Sequence, residues 1–274
     1  MAAVLGLLSA LGIGLSDLFG RRVVLAASAV TAATAMQLFS AMGVLAFALV
    51  TGSAFESVSF LWGCLSGLGM ASGITFYYLG LERSTATIVA PIVASMSALL
   101  PYLYAVSRGT PSSSLAVAGA AVAVIGLVFV TGGAVSRERL RAGVKFGFVS
   151  GLAYAAAAIA FIEAADVEGW WPPVGQRVTG LLALLPVATI MGRPRFPPSG
   201  QRFNGMMSGL LTAVVSVLYL ASLARNAAVG SVALSTFPVF SVLIGRVFFA
   251  DALQRSQVVG IGFVVGGMAM LSLG

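Results

Sequence analysis

The sequence predicts an all-α integral membrane protein with ten transmembrane helices, arranged as two inverted repeats of five helices each. Hydrophobic residues make up 59% of the 274 residues and charged residues only 8%, whereas about a quarter of the residues in soluble domains are charged. The mean hydropathy is +1.04. Because a spanning helix needs about 20 apolar residues, the chain has room for roughly ten spans and for no large soluble domain.

Ten apolar runs, bounded by charged residues, Pro or Gly, make up most of the chain. In chain order, the predicted spans are 2–19, 26–50, 59–80, 86–106, 115–133, 145–164, 173–191, 205–223, 228–249 and 256–273. Five spans per half is an odd number, so the second half enters the membrane from the side opposite to the first. We predict residues 1–137 as the first repeat and 138–274 as the second, joined by the polar segment 134–144.

The repeat is visible in the residues themselves. At an offset of 142, a set with several polar members recurs: Gly63, Ser66, Gly67, Leu68, Tyr77, Leu81, Arg83 and Ala86 match Gly205, Ser208, Gly209, Leu210, Tyr219, Leu223, Arg225 and Ala228. At an offset of 141, Gly119, Val124 and Gly126 match Gly260, Val265 and Gly267. Two copies of one membrane unit are typical of secondary transporters, which build a central site between the copies.

The two ends of individual spans carry further signals. No Lys or Arg precedes the first apolar run and no small-residue cleavage site follows it, so we predict a retained first helix and not a signal peptide. Before the seventh span, Trp170 and Trp171 precede Pro172 and Pro173, a pattern typical of an interfacial anchor followed by a helix start.

The net charge of +7 is explained by membrane topology and not by nucleic-acid binding. The basic residues lie in short loops between apolar runs. The loops after even-numbered spans carry only Arg108 and Arg225, and the other loops carry the rest. By the positive-inside rule, both termini would lie outside the cytoplasm.

The composition argues against an enzyme or a metal protein. The chain has no His and a single cysteine, Cys64, inside an apolar run, which excludes a disulfide framework and removes the commonest metal ligand and proton shuttle. No base adjoins a Ser or Tyr nucleophile, which weakens hydrolase and transferase interpretations. We predict no catalytic residues, no metal and no cofactor.

Ionisable groups inside spans are the first candidates for function, because an unpaired charge in hydrocarbon costs at least about 2.5 kcal/mol. Asp17 lies four residues before Arg21, so an i,i+4 ion pair can explain it. Arg177 can pair with Glu163 across the connection between spans six and seven, or extend to the interface. Alternatively, it faces a central cavity and binds a substrate carboxylate. Arg246, five residues before Asp251, can extend to the interface.

The fourth and ninth spans contain prolines beside hydroxyl groups. Pro91 is followed by Ser95, and Ser235 and Thr236 precede Pro238. A proline inside a span frees a backbone carbonyl that a hydroxyl or a substrate can use, although such prolines can also simply bend a helix.

Tyrosines add hydroxyl-bearing rings that can line a polar cavity, and Tyr77 and Tyr219 occupy matched positions of the repeat. The predicted substrate-binding set is Arg177, Tyr77, Tyr219, Ser235, Thr236, Pro238, Pro91, Ser95 and Tyr154.

Three segments resemble the drug/metabolite transporter superfamily, and within it the ten-helix EamA-type permeases. They are GIGLSDLFGRR at 12–22, YYLGLERSTATIVAP at 77–91 and SVALSTFPVFSVLIGRVFFADAL at 231–253. The family's usual glutamate at the exit of the last segment is replaced by Asp251. In the related small multidrug-resistance branch, the first helix carries a carboxylate at mid-length, but residues 11–14 of this chain contain none.

The resemblance implies alternating access between two repeats, with export or exchange of a small metabolite such as an amino acid or a related carboxylate. It places the protein in the inner cell membrane as a multi-pass monomer or homodimer, whose partners are the small-molecule substrate and the lipid bilayer. Most relatives have cytoplasmic termini, in contrast to the charge bias. A passive channel, a lipid-moving protein and a non-transporting membrane scaffold are the alternatives. Flux without saturation would indicate a channel.

Overall fold

The chain folds into α-helices throughout the part that the structure describes. The computed structural model describes residues 1–84, 86–131, 137–166, 169–250 and 254–273, with all side chains except those at 78, 81, 82, 86, 87, 91, 130, 131, 137–139 and 272. The helices are α1 (Ala2–Ala26), α2 (Ala29–Val50), α3 (Ser57–Arg83), α4 (Ala86–Ser107), α5 (Ser114–Thr131), α6 (Arg137–Ala165), α7 (Trp171–Ile190), α8 (Arg202–Leu223), α9 (Ala227–Ser235), α10 (Phe237–Phe249) and α11 (Arg255–Leu273). A 3₁₀ turn at Ser199–Gln201 precedes α8.

Eight segments among the described residues are long and apolar enough to cross a membrane, judged by length and composition. They lie in α1 to α4 and α6 to α8, and in the run Ala227–Phe249 that combines α9 and α10. Two further apolar helices, Ser114–Phe129 and Arg255–Leu271, are shorter. The chain is therefore a multi-pass membrane protein.

The predicted ninth span, 228–249, is two helices and not one. The break lies at Thr236, whose N–H donates to the Ala233 carbonyl (3.2 Å) and whose carbonyl accepts from the Val239 N–H (3.0 Å). These are i,i+3 bonds, tighter than the α-helical pattern. Pro238 has no N–H, so it cannot donate the i,i−4 bond that a continuous helix would need at this point.

Among the described residues, α6 begins at Arg137, and the repeat boundary at 137/138 stays a prediction. Residues 132–136 of the polar join lie outside the described residues, as do 251–253 at the end of the ninth predicted span.

Glu56 caps the N-terminus of α3. Its carboxylate accepts hydrogen bonds from the backbone N–H groups of Ser59 (2.6 Å) and Val58 (3.1 Å). Because both bonds favour the ionised form, led by the bond from Ser59, the pKa of Glu56 is lowered from its ordinary value of 4.5.

We expect Glu56→Gln to lower thermal stability at neutral pH, because the amide loses the charge that interacts with the helix N-terminus. A lowered folded-state pKa means that the stabilisation is fully present above 4.5 and disappears as the pH falls through the folded-state value. Unfolding midpoints of both proteins, measured from pH 7 to pH 3, should therefore converge at acid pH. A constant difference across the range would contradict the role of the charge.

The packing of the helices repeats between the two halves. α3 packs against α6 and α1 packs against α8, both antiparallel, while α3 runs parallel to α7 and α2 parallel to α8. Two glycine contacts fix the direction of each pair. For the antiparallel pairs, they are Gly69 on Ala157 and Gly80 on Phe146 (α3 and α6), and Gly12 on Val215 and Gly20 on Ser208 (α1 and α8). For the parallel pairs, they are Gly63 on Pro172 and Gly67 on Gln176 (α3 and α7), and Gly205 on Ala35 and Gly43 on Ala213 (α8 and α2).

Glycines that match in sequence make matched contacts in space. Gly67 packs on Gln176, Thr179 and Gly180 of α7, and its counterpart Gly209 packs on Met36, Phe39 and Ser40 of α2. The two sets of partners differ by a constant offset of 140 (36 to 176, 39 to 179 and 40 to 180). Between α5 and α11, Gly119 contacts Gly267 and Gly126 contacts Gly260. At the sequence offset of 141, Gly119 matches Gly260 and Gly126 matches Gly267, so each of the two contacts is the counterpart of the other.

The main buried core lies among α4, α5, α6, α8, α9 and α11, with Val239 from the start of α10. Phe161 and Tyr219 stack within it, with ring centroids 5.7 Å apart. α9 contributes six buried residues of nine to the interior, whereas α10 contributes three of thirteen. The ninth predicted span is thus anchored in the core through its first part.

Candidate functional site

Arg177 is buried in the middle of the protein, where α7 meets α2 and α8. Its side chain is 5% exposed. The guanidinium donates to the Ser216 Oγ through Nε (3.0 Å) and through one terminal nitrogen (2.8 Å), and to the Gln37 Oε1 through the other (3.1 Å). At a rise of 1.5 Å per residue, Arg177 is about 5 Å from the midpoint of α7 and Gln37 about 4 Å from that of α2.

None of the partners that the structure gives Arg177 is an acid. The predicted alternative partner, Glu163, instead accepts from the Tyr104 hydroxyl at 2.5 Å and lies 3.5 Å from the Arg108 Nε. Arg177 also does not extend to the membrane interface, since its polar contacts are Gln37 and Ser216. A buried guanidinium without a carboxylate is costly in a protein interior, so its persistence requires a reason.

Two buried polar groups on α2, one of them on the Gln37 side chain that bonds to Arg177, have no hydrogen-bond partner among the described residues. They are the Gln37 Nε2 and the Ser40 Oγ, and both side chains are 0% exposed. The residues are three apart on α2, so they share one face of the helix. Buried polar groups normally find partners, and two exceptions one turn apart make this region distinctive.

A chain of hydroxyl groups connects Arg177 to α1. The Ser216 Oγ donates to the Thr212 carbonyl (2.8 Å), and the Ser16 Oγ lies 2.9 Å from the hydroxyl oxygens of both Thr212 and Ser208. All of these side chains are buried. The chain brings polar groups from α7, α8 and α1 into one connected network in the interior.

Asp17, next to Ser16 on α1, bonds to α10. Its Oδ2 accepts from the Ser241 hydroxyl at 2.6 Å, and it lies close enough to Tyr77 to interact electrostatically. Arg21, the partner suggested by i,i+4 spacing, lies over the Phe249 ring, 4.1 Å from its centroid. The described contacts of Asp17 and Arg21 thus connect the end of α1 to α10.

A second group of predicted site residues meets where α8, α9 and α4 pack. Tyr219 is 7% exposed, stacks on Phe161 and interacts with Ser231. Ser235 donates to the carbonyls of Ser231 (2.9 Å) and, across to α4, Ser97 (3.3 Å).

Thr236 bonds to the Ala233 carbonyl at 2.7 Å, and Pro238 is buried at the start of α10. These hydroxyl groups satisfy backbone carbonyls of their own helices, apart from the bond of Ser235 to Ser97.

The remaining predicted residues lie on α3, α4 and α6. Tyr154 is half-buried on α6, with its ring against Gly73 of α3, and Tyr77 is half-buried on α3. Ser95 is half-buried on α4, and the side chain of Pro91 lies outside those described. The structure therefore places Arg177 in one polar cluster, Tyr219 and Ser235 in a second region, and Tyr154 in a third.

Sequence reasoning missed Gln37, Ser40 and Ser216, because it looked for ionisable groups, tyrosines and hydroxyl groups beside prolines, and these three residues belong to none of those classes. A usable signal existed. With the offset of 140 that relates the contacts of α2 to those of α7, Gln37 matches Arg177. The two matched residues hydrogen-bond to each other, so they lie where the two halves meet.

Comparisons with known proteins concern the family of one part of the chain and the fold of the whole. Residues 141–273 match the model of the EamA-like transporter family. A solved structure titled "Crystal structure of protein" is similar over 99% of this chain and 98% of its own, with a TM-score of 0.82 and 18% sequence identity, which shows a shared fold. The comparison with curated proteins gave no match.

Proposed function

Residues 141–273 belong to the EamA-like transporter family, a domain of the drug/metabolite transporter superfamily, and from this premise we propose a specific carrier function. The chain is a secondary transporter that exports or exchanges a small metabolite with a carboxylate group, such as an amino acid, by alternating access between two repeats. It operates in the inner cell membrane, as a monomer or homodimer.

Ten membrane crossings in two inverted repeats are supported by the helix contacts. The matched packing of Gly67 and Gly209 on α7 and α2 is the relation expected of two copies of one unit. The reciprocal contacts of Gly119 with Gly267 and of Gly126 with Gly260 support a pseudo-two-fold axis that passes between α5 and α11 and relates the two repeats. The parallel and antiparallel directions given above fit an alternating path through the membrane, with α9 and α10 as one crossing.

The burial of Arg177 without an acidic partner among the described residues is the observation that supports a substrate with a carboxylate group. A buried cation near the middle of the membrane, with neutral partners on α2 and α8, is suited to an anionic group that enters with the substrate. The predicted residues Tyr77, Tyr154 and Tyr219 on α3, α6 and α8, with Ser235, Thr236, Pro238, Pro91 and Ser95, complete the surfaces that the moving repeats present to a substrate.

We expect the purified protein in proteoliposomes to catalyse saturable counterflow of at least one labelled amino acid or organic acid. The panel includes cationic drugs, and each compound is tested with and without an imposed pH gradient. Counterflow requires a carrier that binds on both sides, so it separates a transporter from a channel.

Linear flux without counterflow would favour the passive channel and contradict the proposal. Movement of labelled lipid between leaflets without solute flux would favour the lipid-moving protein, and inactivity toward every compound would favour the scaffold. Empty liposomes and liposomes with heat-denatured protein serve as controls.

A further inference from the structure

We propose that Gln37, Ser40 and Arg177 form a binding site for a single carboxylate group. In the structure, the Gln37 carbonyl oxygen accepts from the guanidinium of Arg177, and a bound carboxylate takes the place of that oxygen. The inference rests on the proposed transport function and identifies the part of the substrate that the protein recognises. Gln37 and Ser40 become specificity-determining residues of the carrier.

The cluster offers donors and almost no free acceptors. A guanidinium has five N–H groups, of which the described bonds use three. The Gln37 amide nitrogen and the Ser40 hydroxyl add further donors that have no partner among the described residues. A cation with a second donor on Gln37 and a third one turn further along α2 is suited to a carboxylate, because a carboxylate accepts through two oxygens.

The charge of the cluster limits the ligand to one negative charge. Arg177 supplies the positive charge, and its described partners are the neutral amide of Gln37 and the neutral hydroxyl of Ser216. In an interior of low dielectric, a monoanion would be neutralised, whereas a phosphate dianion would carry an unpaired charge into the membrane. A carboxylate therefore fits better than a phosphate.

The Gln37 carbonyl oxygen occupies the position that a carboxylate oxygen would take. It accepts one guanidinium N–H at 3.1 Å, as a carboxylate would, but without a charge. Its amide nitrogen packs against Gly180, so the absence of a side chain at 180 makes room for the amide at the surface of α7. A competing carboxylate gains a charge-assisted bond that the amide cannot supply.

The position of the cluster suits a carrier that opens to both sides. Gln37 and Arg177 occupy matched positions of the two halves and bond to each other, which places the pair at the axis that would relate the repeats. Ser40 lies at the middle of α2. A ligand held at this axis is equally deep from both faces, as alternating access requires.

Ser40→Ala provides the sharpest test. Removal of a buried hydroxyl without a partner should leave the unfolding temperature unchanged or raise it, yet we expect it to weaken carboxylate binding about tenfold. Ser222→Ala is the matched control, because the Ser222 Oγ is buried and donates to the Ala2 carbonyl at 2.8 Å. That variant should lower the unfolding temperature and leave carboxylate affinity unchanged.

Gln37→Glu tests the replacement step. The introduced carboxylate would pair with Arg177 permanently, so we expect a higher unfolding temperature and loss of carboxylate binding by at least a hundredfold. If Gln37 only stabilises the fold, the variant would bind and transport as the original protein does.

Binding is measured by thermal unfolding of the full chain in detergent, at constant ionic strength, with matched probe pairs. The pairs are lactate and lactamide, benzoate and benzamide, and L-alanine and L-alaninamide. We expect a saturable rise in unfolding temperature with at least one carboxylate and not with its amide. Equal shifts for both members of every pair, or no carboxylate-specific shift, would overturn the inference, as would unchanged affinity in both Ser40→Ala and Gln37→Glu.

The counterflow assay separates this inference from the proposed function. Carboxylate-specific shifts without counterflow of any compound would support the binding site and contradict transport. Counterflow of neutral or cationic compounds that Gln37→Glu does not alter would support transport and overturn the carboxylate site.

Discussion

Arg177→Met is expected to abolish saturable counterflow while making the protein more stable. A hydrogen-bonded charge contributes about 1.5–3 kcal/mol to binding a charged group, which corresponds to a loss of about 10- to 150-fold in affinity. Replacing a buried cation by an apolar side chain of similar length removes a cost of at least about 2.5 kcal/mol, which offsets a loss of about 1–3 kcal/mol that arises because the Gln37 carbonyl oxygen loses its described donor. Counterflow in proteoliposomes and thermal unfolding of the same preparation measure the two effects together.

Arg195→Met is the matched control for this experiment. Arg195 is exposed, and its Nε donates to the exposed Thr189 hydroxyl at 3.0 Å, so the change should affect neither transport nor stability. Unchanged transport and binding of every substrate in Arg177→Met would contradict the assignment of Arg177 to the substrate site.

Gly267→Ala should destabilise the protein by about 1–3 kcal/mol, as overpacking of a close interface typically does. A Cβ at this position would lie 2.5 Å from the Ala123 nitrogen and 2.6 Å from the Gly119 carbonyl oxygen. Both atoms belong to the backbone of α5, so α5 and α11 would have to move apart along their whole contact. The unfolding midpoint in detergent is the direct measurement.

Gly266→Ala gives the control in the same helix, one residue away. A Cβ at Gly266 has no atom within 4 Å among its described surroundings, so only the helix propensity changes, by up to about 1 kcal/mol in the stabilising direction. Equal effects of the two substitutions would show that the glycine contacts between α5 and α11 are not close.

The helices could be predicted from the sequence because each apolar run matches the thickness of a bilayer. The predicted ends of the helices were less accurate. The first span was expected to stop at 19, yet α1 continues to Ala26 through Arg21 and Arg22. Hydropathy detects the part of a helix inside hydrocarbon, whereas the backbone bonds of the helix continue into the polar interface. The break at Thr236 was also missed, because the hydropathy of the run does not change there.

The candidate site was predicted only in part, for a physical reason. Arg177 stands out because a charge inside an apolar run is costly wherever its partner lies. Gln37 and Ser40 are neutral, and their importance comes from bonds that are made or missing across helices far apart in sequence. The offset of 140 becomes visible only in the contacts, where Gly67 packs on α7 and Gly209 packs on α2 at positions that differ by that number.

The break at Thr236 also affects the stiffness of the predicted ninth span. A continuous helix of 23 residues would transmit any tilt along its full length. With Pro238 just after the break, the backbone lacks one bond of the helical pattern, so bending is concentrated in one short joint between α9 and α10. A change in tilt between these two helices would cost elastic energy mainly in the few peptide units beside Thr236 and in the packing of Val239, which lies in the same core as α9.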